Sequence, residues 1–581
     1  MAHYRGVRQF LRGAAGVLIT TALCAQQAQQ SAPTIPAPTI RVSTHMVLVD
    51  AVVTDKQGKA VMGLRPEDFV VEENGKAQKI VSLTTPTENT PVPKPPLPPG
   101  IYSNRPEYRS PGGPITVMLL DALNTPFTNQ GYARRQMLAF VQEQFKPTDR
   151  MAVFALTGPL VALQDLTSDP QVLYAALQKY KPQSQEFANS DRPATSAASG
   201  TPTAVSVVTS LDASTPPLVD NSASLGIRGG GSSAGFSGAQ AALEAFEGAQ
   251  VAYAKDQRAI MTLSALGSLA RILGGLPGRK NLIWVTGELP FSFIPEDRVM
   301  TDEELAEDLP SMNTRRVGEH AAGNYAATFR ASHADEIREV AGRLASAQVA
   351  VYPVDARGLS ISTEIDSQET MREMARETGG RAYVNQNEIR VGVERAFADE
   401  TAAYSLGYYP DNKKYDSKYR SIKVKVKKDG VEVQSRRGYF AIDPTQTKGY
   451  NPQQEVGAAL ADNIPSTLVS FSAQVKPPSA NSVPGKIGVT YLVDASTLSA
   501  EDASGGKRLN AMFYATIYSG GKIVANSSQK VDQTFDANTY QTILSKGLML
   551  HLDLDSKPGQ LRLAVQDART GLVGTINAAV P

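Results

Sequence analysis

Ile115-Thr116-Val117-Met118-Leu119-Leu120-Asp121 is a continuous apolar run that stops at an acid. A strand with one wet face alternates apolar and polar residues, whereas an unbroken apolar strand is buried on both faces, as in a parallel sheet covered by helices. Working outward, the same kind of run recurs in Met151–Leu156, in Asn281-Leu282-Ile283-Trp284-Val285 and in Val349-Ala350-Val351-Tyr352-Pro353-Val354. Helical spacing separates these runs, over 132–145, 170–180, 239–273 and 334–347, and an edge strand is expected at 160–163. Helices over 370–376 and 388–397, with a strand at 382–384 between them, close the region. The alternation predicts an α/β domain over residues 114–442, with a doubly wound, mostly parallel sheet. Within it, residues 181–237 are rich in Ser, Ala, Thr, Pro and Gly and read as an inserted loop.

On the N-terminal side, residues 38–86 alternate as strands do, with Asn74-Gly75 marking a hairpin, and form a small β domain. Prolines crowd 87–113, so this segment is expected to be an extended linker. Within the α/β span, Ile422-Lys423-Val424-Lys425-Val426-Lys427 alternates strictly, and its lysines read as a solvated face opposite a buried one. Residues 458–581 carry further strands near 469–475, 487–493, 511–517, 548–552 and 561–565, a pattern that suits a C-terminal β-sandwich-like domain.

The first 13 residues contain Arg5, Arg8 and Arg12 and no acid, and an apolar run to Ala25 follows. That order is a secretory signal over 1–25, too short to remain as a membrane helix. The expectation is an exported protein, periplasmic, cell-surface or extracellular, with no permanent membrane span. Cys24, the sole cysteine, lies inside the signal, and ordinary cleavage is preferred to lipidation there. The mature chain then has no thiol for disulfides, thiolate metal sites or nucleophilic catalysis. With 58 basic and 57 acidic residues the formal net charge is +1, so no overall field draws the chain to nucleic acid.

Enzyme motifs fail one by one. His3, His45, His320, His333 and His551 have no zinc-protease spacing. Gly235-Phe236-Ser237-Gly238-Ala239 has no strand before it and lacks the last glycine of a nucleophile elbow. The glycines and lysine of 274–280 precede a strand, whereas a phosphate loop must follow one. No catalytic residue is assigned, and the chain is expected not to be an enzyme.

Four segments carry a resemblance: Leu120-Asp121-Ala122-Leu123-Asn124-Thr125, Gly278-Arg279-Lys280-Asn281-Leu282-Ile283-Trp284, Tyr352-Pro353-Val354-Asp355-Ala356-Arg357-Gly358-Leu359 and Leu406-Gly407-Tyr408-Tyr409-Pro410. Together they resemble bacterial, largely acidobacterial, proteins related to von Willebrand factor A domains. That resemblance implies metal-dependent adhesion, in which an Asp-x-Ser-x-Ser loop, a later Thr and an Asp after the fourth strand hold a divalent ion that captures a partner's carboxylate. By the same resemblance Asp121, Asn124, Thr125 and Glu288 are the metal candidates, and Asp121, Thr286, Glu288 and Asp355 the ligand-binding surface. The cofactor is Mg²⁺ or another divalent cation, or none. The motif departs at Leu123, which has no ligand atom, and at Thr286-Gly287-Glu288, which stands where adhesive domains have Thr-Asp-Gly; Thr262 is the candidate for the later Thr. The leading expectation is a binding or adhesion protein that recognises a protein partner at the carboxyl end of the sheet. The alternative is a metal-free scaffold whose β domains make the contacts, and a hydrolase comes last.

Overall fold

The run at 115–121 is a strand, Ile115–Asp121, buried along its whole length. It is the middle of a five-stranded sheet in the order Val349–Asp355, Lys280–Thr286, Ile115–Asp121, Met151–Leu156, Leu160–Thr167. The first four strands are parallel and the last is antiparallel, so the sheet is mixed. The pleat sends alternate residues to two separate cores. Val117, Leu119, Leu282, Trp284 and Val351 pack with Leu266, Leu269, Leu344, Met371 and Met374, while Met118, Leu120, Ile283, Val285 and Tyr352 pack with Met137, Phe140, Leu173, Leu177 and Val393. The first set of partners comes from the helices Ser233–Leu273, 339–346 and Ile365–Thr378, the second from Phe127–Glu143, Pro170–Lys179 and Ile389–Thr401. At about 1.5–3 kcal/mol for each fully buried Leu- or Val-sized side chain, burial on two faces explains why these strands tolerate no polar alternation.

The computed structural model describes residues 46–86, 97–109, 115–146, 149–182, 233–290, 336–337, 339–358, 365–386, 388–442, 451–462, 464–478 and 485–580. The expected signal with Cys24, most of the inserted loop, and parts of the proline-rich segment lie outside them. The helix Ser233–Leu273 starts inside the span expected to be loop. Tyr383 makes a single bridge to Val354 rather than a strand.

Two expected boundaries are corrected by strand pairing. Ala403–Tyr408, Tyr419–Val426 and Val431–Ser435, expected to end the α/β domain, pair instead with the N-terminal strands, and Gly438–Phe440 pairs with Tyr419–Val426. One sheet has the order Val431–Ser435, Val47–Asp55, Ala403–Tyr408, Ile80–Thr84; the other has Gly438–Phe440, Tyr419–Val426, Phe69–Glu73, Lys76–Gln78. Val49, Val53, Phe69 and Val71 from one segment share a core with Tyr404, Leu406, Ile422 and Val424 from the other. Each segment supplies only two strands to each of these sheets, fewer than the three or more that a stable sheet needs, so each sheet is complete only when the two segments combine. The alternation at 422–427 holds: Ile422 and Val424 are buried, Lys423 and Lys425 are exposed, and Lys425 Nζ lies 2.6 Å from Glu72 Oε1.

The expected linker also takes part in a sheet. Ile101–Ser103 pairs with Phe471–Lys476, and the buried Asn104 beside it holds three backbone groups: its Nδ2 donates to the carbonyls of Ser466 and Val469, both at 2.9 Å, and its Oδ1 accepts from Phe471 N at 2.8 Å. This strand completes the sheet Leu548–Asp555, Lys486–Val493, Phe471–Lys476, Ile101–Ser103. The second sheet comprises Ala500–Ala503, Gly506–Ser519, Gln560–Asp567 and Val573–Ala579, with Lys522–Phe535 along the free side of Gly506–Ser519. Phe471, Tyr491, Phe513 and Leu563 fill the space between the two sheets. The helices Pro452–Ala461 and Ala537–Lys546 were not foreseen. At the junction with the α/β layer Gly275 lies so close to Thr467 that a Cβ would sit 1.8 Å from the Thr467 carbonyl oxygen. What is established is a β-rich, mixed α/β chain with several antiparallel sheets and one mixed sheet.

Candidate functional site

Parallel strands present their carboxyl ends together, and the last residues of adjacent central strands here are Asp121 and Thr286. Crevices at such ends bind ligands in many α/β proteins. This one is closed by the chain's own donors. Asp121, 2% exposed, accepts from the backbone N–H of Asn124 at its Oδ1 (2.8 Å). Its Oδ2 accepts from Asn124 Nδ2, Trp284 Nε1 and Thr286 Oγ1, each at 2.9 Å. The Thr286 hydroxyl has one proton and two acceptors within reach, Asp121 Oδ2 and the Glu288 carbonyl at 2.7 Å. Burial pushes the Asp121 carboxyl above its ordinary value, against the opposing pull of these donors, chiefly Asn124.

Around the carboxylate the loop is fixed from several sides. Asn124 Nδ2 also donates to Thr262 Oγ1 (3.0 Å), whose hydroxyl donates to the Arg258 carbonyl one helical turn earlier (2.7 Å). Thr125 Oγ1 accepts from Gly287 N at 2.9 Å, and Gln130 Nε2 donates to the carbonyls of Ala122 and Thr125. The Glu288 carboxylate pairs with Arg258 (2.9 Å), and Asp355 forms a two-pronged pair with Arg357 at 2.9 Å for each prong. The structure therefore brings together Asp121, Asn124, Thr125 and Thr286 with Thr262, while the carboxylates of Glu288 and Asp355 turn to separate arginines. Thr262 lies on a helix rather than in a loop. The residue that sequence reading missed is Trp284. Its signal was available: a buried indole N–H needs an acceptor, and Leu119, its register partner, lies two residues before Asp121.

An octahedral Mg²⁺ site needs several hard oxygen ligands around one point. The donor set here does not fit one. Both Asp121 oxygens are occupied by N–H and O–H groups, Leu123 is packed in the core, and of the buried side-chain oxygens in the loop Asn124 Oδ1 alone lacks a partner. Position 287, where the related motif has its second Asp, has no room for a side chain: a Cβ there would lie 2.9 Å from both the Asn124 carbonyl oxygen and Pro126 Cδ. Among the described residues no group of three His, Cys, Asp or Glu side chains is placed to hold a metal.

No protein-family model matches the sequence, and no curated protein is similar to it. Among solved structures, an aerotolerance-related membrane protein from Bacteroides fragilis NCTC 9343, carrying multiple mutations to serine, aligns at 11% identity over 50% of this chain and 98% of its own, with a TM-score of 0.21. The pilus adhesin SpaC from Lactobacillus rhamnosus GG, in its open conformation, aligns at 9% identity over 88% of this chain and 69% of its own, with a TM-score of 0.24. Another crystal form of SpaC gives 8%, 89%, 58% and 0.23. Likenesses this distant carry no argument about fold or function. Among the described residues no helix is long and apolar enough to cross a membrane.

Proposed function

We propose that this chain is an exported, non-catalytic binding or assembly protein. In this reading a doubly wound, von Willebrand factor A-like layer serves as a metal-free scaffold, and the antiparallel β layers make the contacts with a protein partner. The observation that carries it is the occupation of both Asp121 oxygens by Asn124, Trp284 and Thr286. Displacing one of these donors from the carboxylate in favour of an ion would orphan it in a buried site at a cost of about 1–3 kcal/mol. The closed position at Gly287 supports the same reading, because the second acid of an adhesion site cannot be accommodated without moving the Asn124–Pro126 backbone. Fold resemblance supplies the class of function and no more.

The test is calorimetric titration of the exported chain with Mg²⁺, Mn²⁺ and Ca²⁺, with Asp121→Ala alongside. The expected result is no saturable heat from either protein. Saturable heat from the parent that disappears in the variant would restore metal-mediated capture of a carboxylate and remove the scaffold reading.

A further inference from the structure

At the opposite, amino end of the mixed sheet, where Lys280 and Val349 begin their strands, a cavity of about 30 Å³ lies between the α/β layer and the N-terminal sandwich. Leu48, Asp50, Arg279, Gln348, Glu377 and Arg436 are on its wall. Arg279 and Arg436 are both more than nine-tenths buried, at 7% and 9% exposure. Buried guanidinium groups are ordinarily paired with carboxylates, because an unpaired charge away from water is costly. Neither has such a pair. Arg279 donates to Asn281 Oδ1, the Tyr352 hydroxyl and the Gly379 carbonyl, all neutral. Arg436 donates through one Nη to the Leu48 carbonyl and lies over the Tyr439 ring, and its Nε is buried without an acceptor. The two acids on the same wall are engaged elsewhere: Asp50 accepts from Gln348 Nε2 (3.0 Å) and from the Ser405 hydroxyl, and Glu377 from the Tyr419 hydroxyl (2.5 Å).

We propose that this cavity is a binding site for a small monovalent inorganic anion of chloride size, held between the guanidinium groups of Arg279 and Arg436. The volume leaves room for one such ion: about 10–15 Å³ already holds a water, and about 30 Å³ admits a larger sphere. Burial pulls the Arg436 guanidinium below its ordinary value, against the opposing pull of nearby Tyr408 and Asp50. Residues from both layers line the site, so an anion bound there ties the N-terminal sandwich to the α/β sheet. The site lies at the end of the sheet away from Asp121, and it stands or falls separately from the metal-free reading of that residue.

The experiment is thermal unfolding of the full exported chain in chloride, bromide and gluconate at constant ionic strength, with Arg436→Gln in parallel and ³⁵Cl line broadening on the parent. The site predicts a saturable rise in Tm with chloride or bromide over gluconate, loss of that rise in Arg436→Gln, and ³⁵Cl broadening that bromide suppresses. Equal Tm in all three salts with no broadening would mean an ordered water only and would overturn the proposal. A chloride effect that persists in a folded Arg436→Gln would overturn it too, by placing the ion elsewhere. Where Arg436→Gln fails to fold, bromide-suppressible broadening on the parent supports the site and its absence refutes it.

Discussion

Replacing Asp121 by alanine removes both acceptors from the centre of the closed crevice. Asn124 Nδ2 keeps Thr262, and the Thr286 hydroxyl keeps the Glu288 carbonyl. The Asn124 backbone N–H and the Trp284 indole N–H lose theirs, and both residues are at most 1% exposed. Two buried orphan donors at about 1–3 kcal/mol each give about 2–6 kcal/mol of destabilisation. Part of this is offset near neutral pH, since burial of the carboxylate is itself unfavourable when it is ionised, and a net loss of about 1–4 kcal/mol is expected there. The pH dependence follows from the raised carboxyl. The folded protein holds the Asp121 proton more tightly than the unfolded chain does, so this contribution is fully present below the ordinary value of 3.8 and is lost as pH rises through the folded value. The gap between parent and variant is therefore widest at acid pH. Denaturant unfolding followed through Trp284, the sole tryptophan, reports on this layer directly. A variant as stable as the parent at both acid and neutral pH would refute the hydrogen-bond arrangement.

Three further predictions follow from particular contacts. The double variant Leu123→Ser, Gly287→Asp, which restores the ligand types of an adhesion loop, is expected to gain no Mg²⁺ affinity and to lose about 2–5 kcal/mol from the vacated Leu123 site alone, read by calorimetry and denaturant unfolding. Gly275→Ala forces the Thr467 backbone away, so it should lower Tm and speed amide exchange at the start of the C-terminal sandwich; unchanged exchange there would contradict the close approach. In the N-terminal sandwich the Glu73 carboxylate accepts from the hydroxyls of Tyr408 (2.8 Å) and Tyr439 (3.0 Å), and Tyr408→Phe should cost about 1–3 kcal/mol in an unfolding titration.

The sequence exposed the α/β layer clearly because its strands are buried on both faces, a condition that leaves an apolar run such as Ile115–Leu120 with no other reading. The partner of Val47–Asp55 was not legible in the same way. It is Ala403–Tyr408, some 350 residues on, and an alternating pattern fixes which face of a strand is buried without naming what covers it. The three-residue strand Ile101–Ser103 was hidden by its prolines, and what holds it is the side chain of Asn104 rather than any periodicity. At the candidate site, the resemblance to von Willebrand factor A domains placed Asp121, Asn124, Thr125 and Thr286 near one another. They left open whether the carboxylate faces an ion or the protein, because that depends on where the Trp284 indole points, and a strand's register is set only when it packs.

The central claim is that Trp284 and Asn124 fill the coordination of Asp121, and the measurement that tests it most directly is the indole N–H resonance of Trp284, single in the spectrum because the chain has one tryptophan. In a ¹⁵N-labelled sample it should be shifted by its carboxylate acceptor, protected from solvent exchange, displaced in Asp121→Ala, and unmoved by saturating Mg²⁺, Mn²⁺ being avoided for its paramagnetism. A resonance that exchanges freely, or that shifts saturably with Mg²⁺, would contradict the account by showing Asp121 oxygens available to an ion.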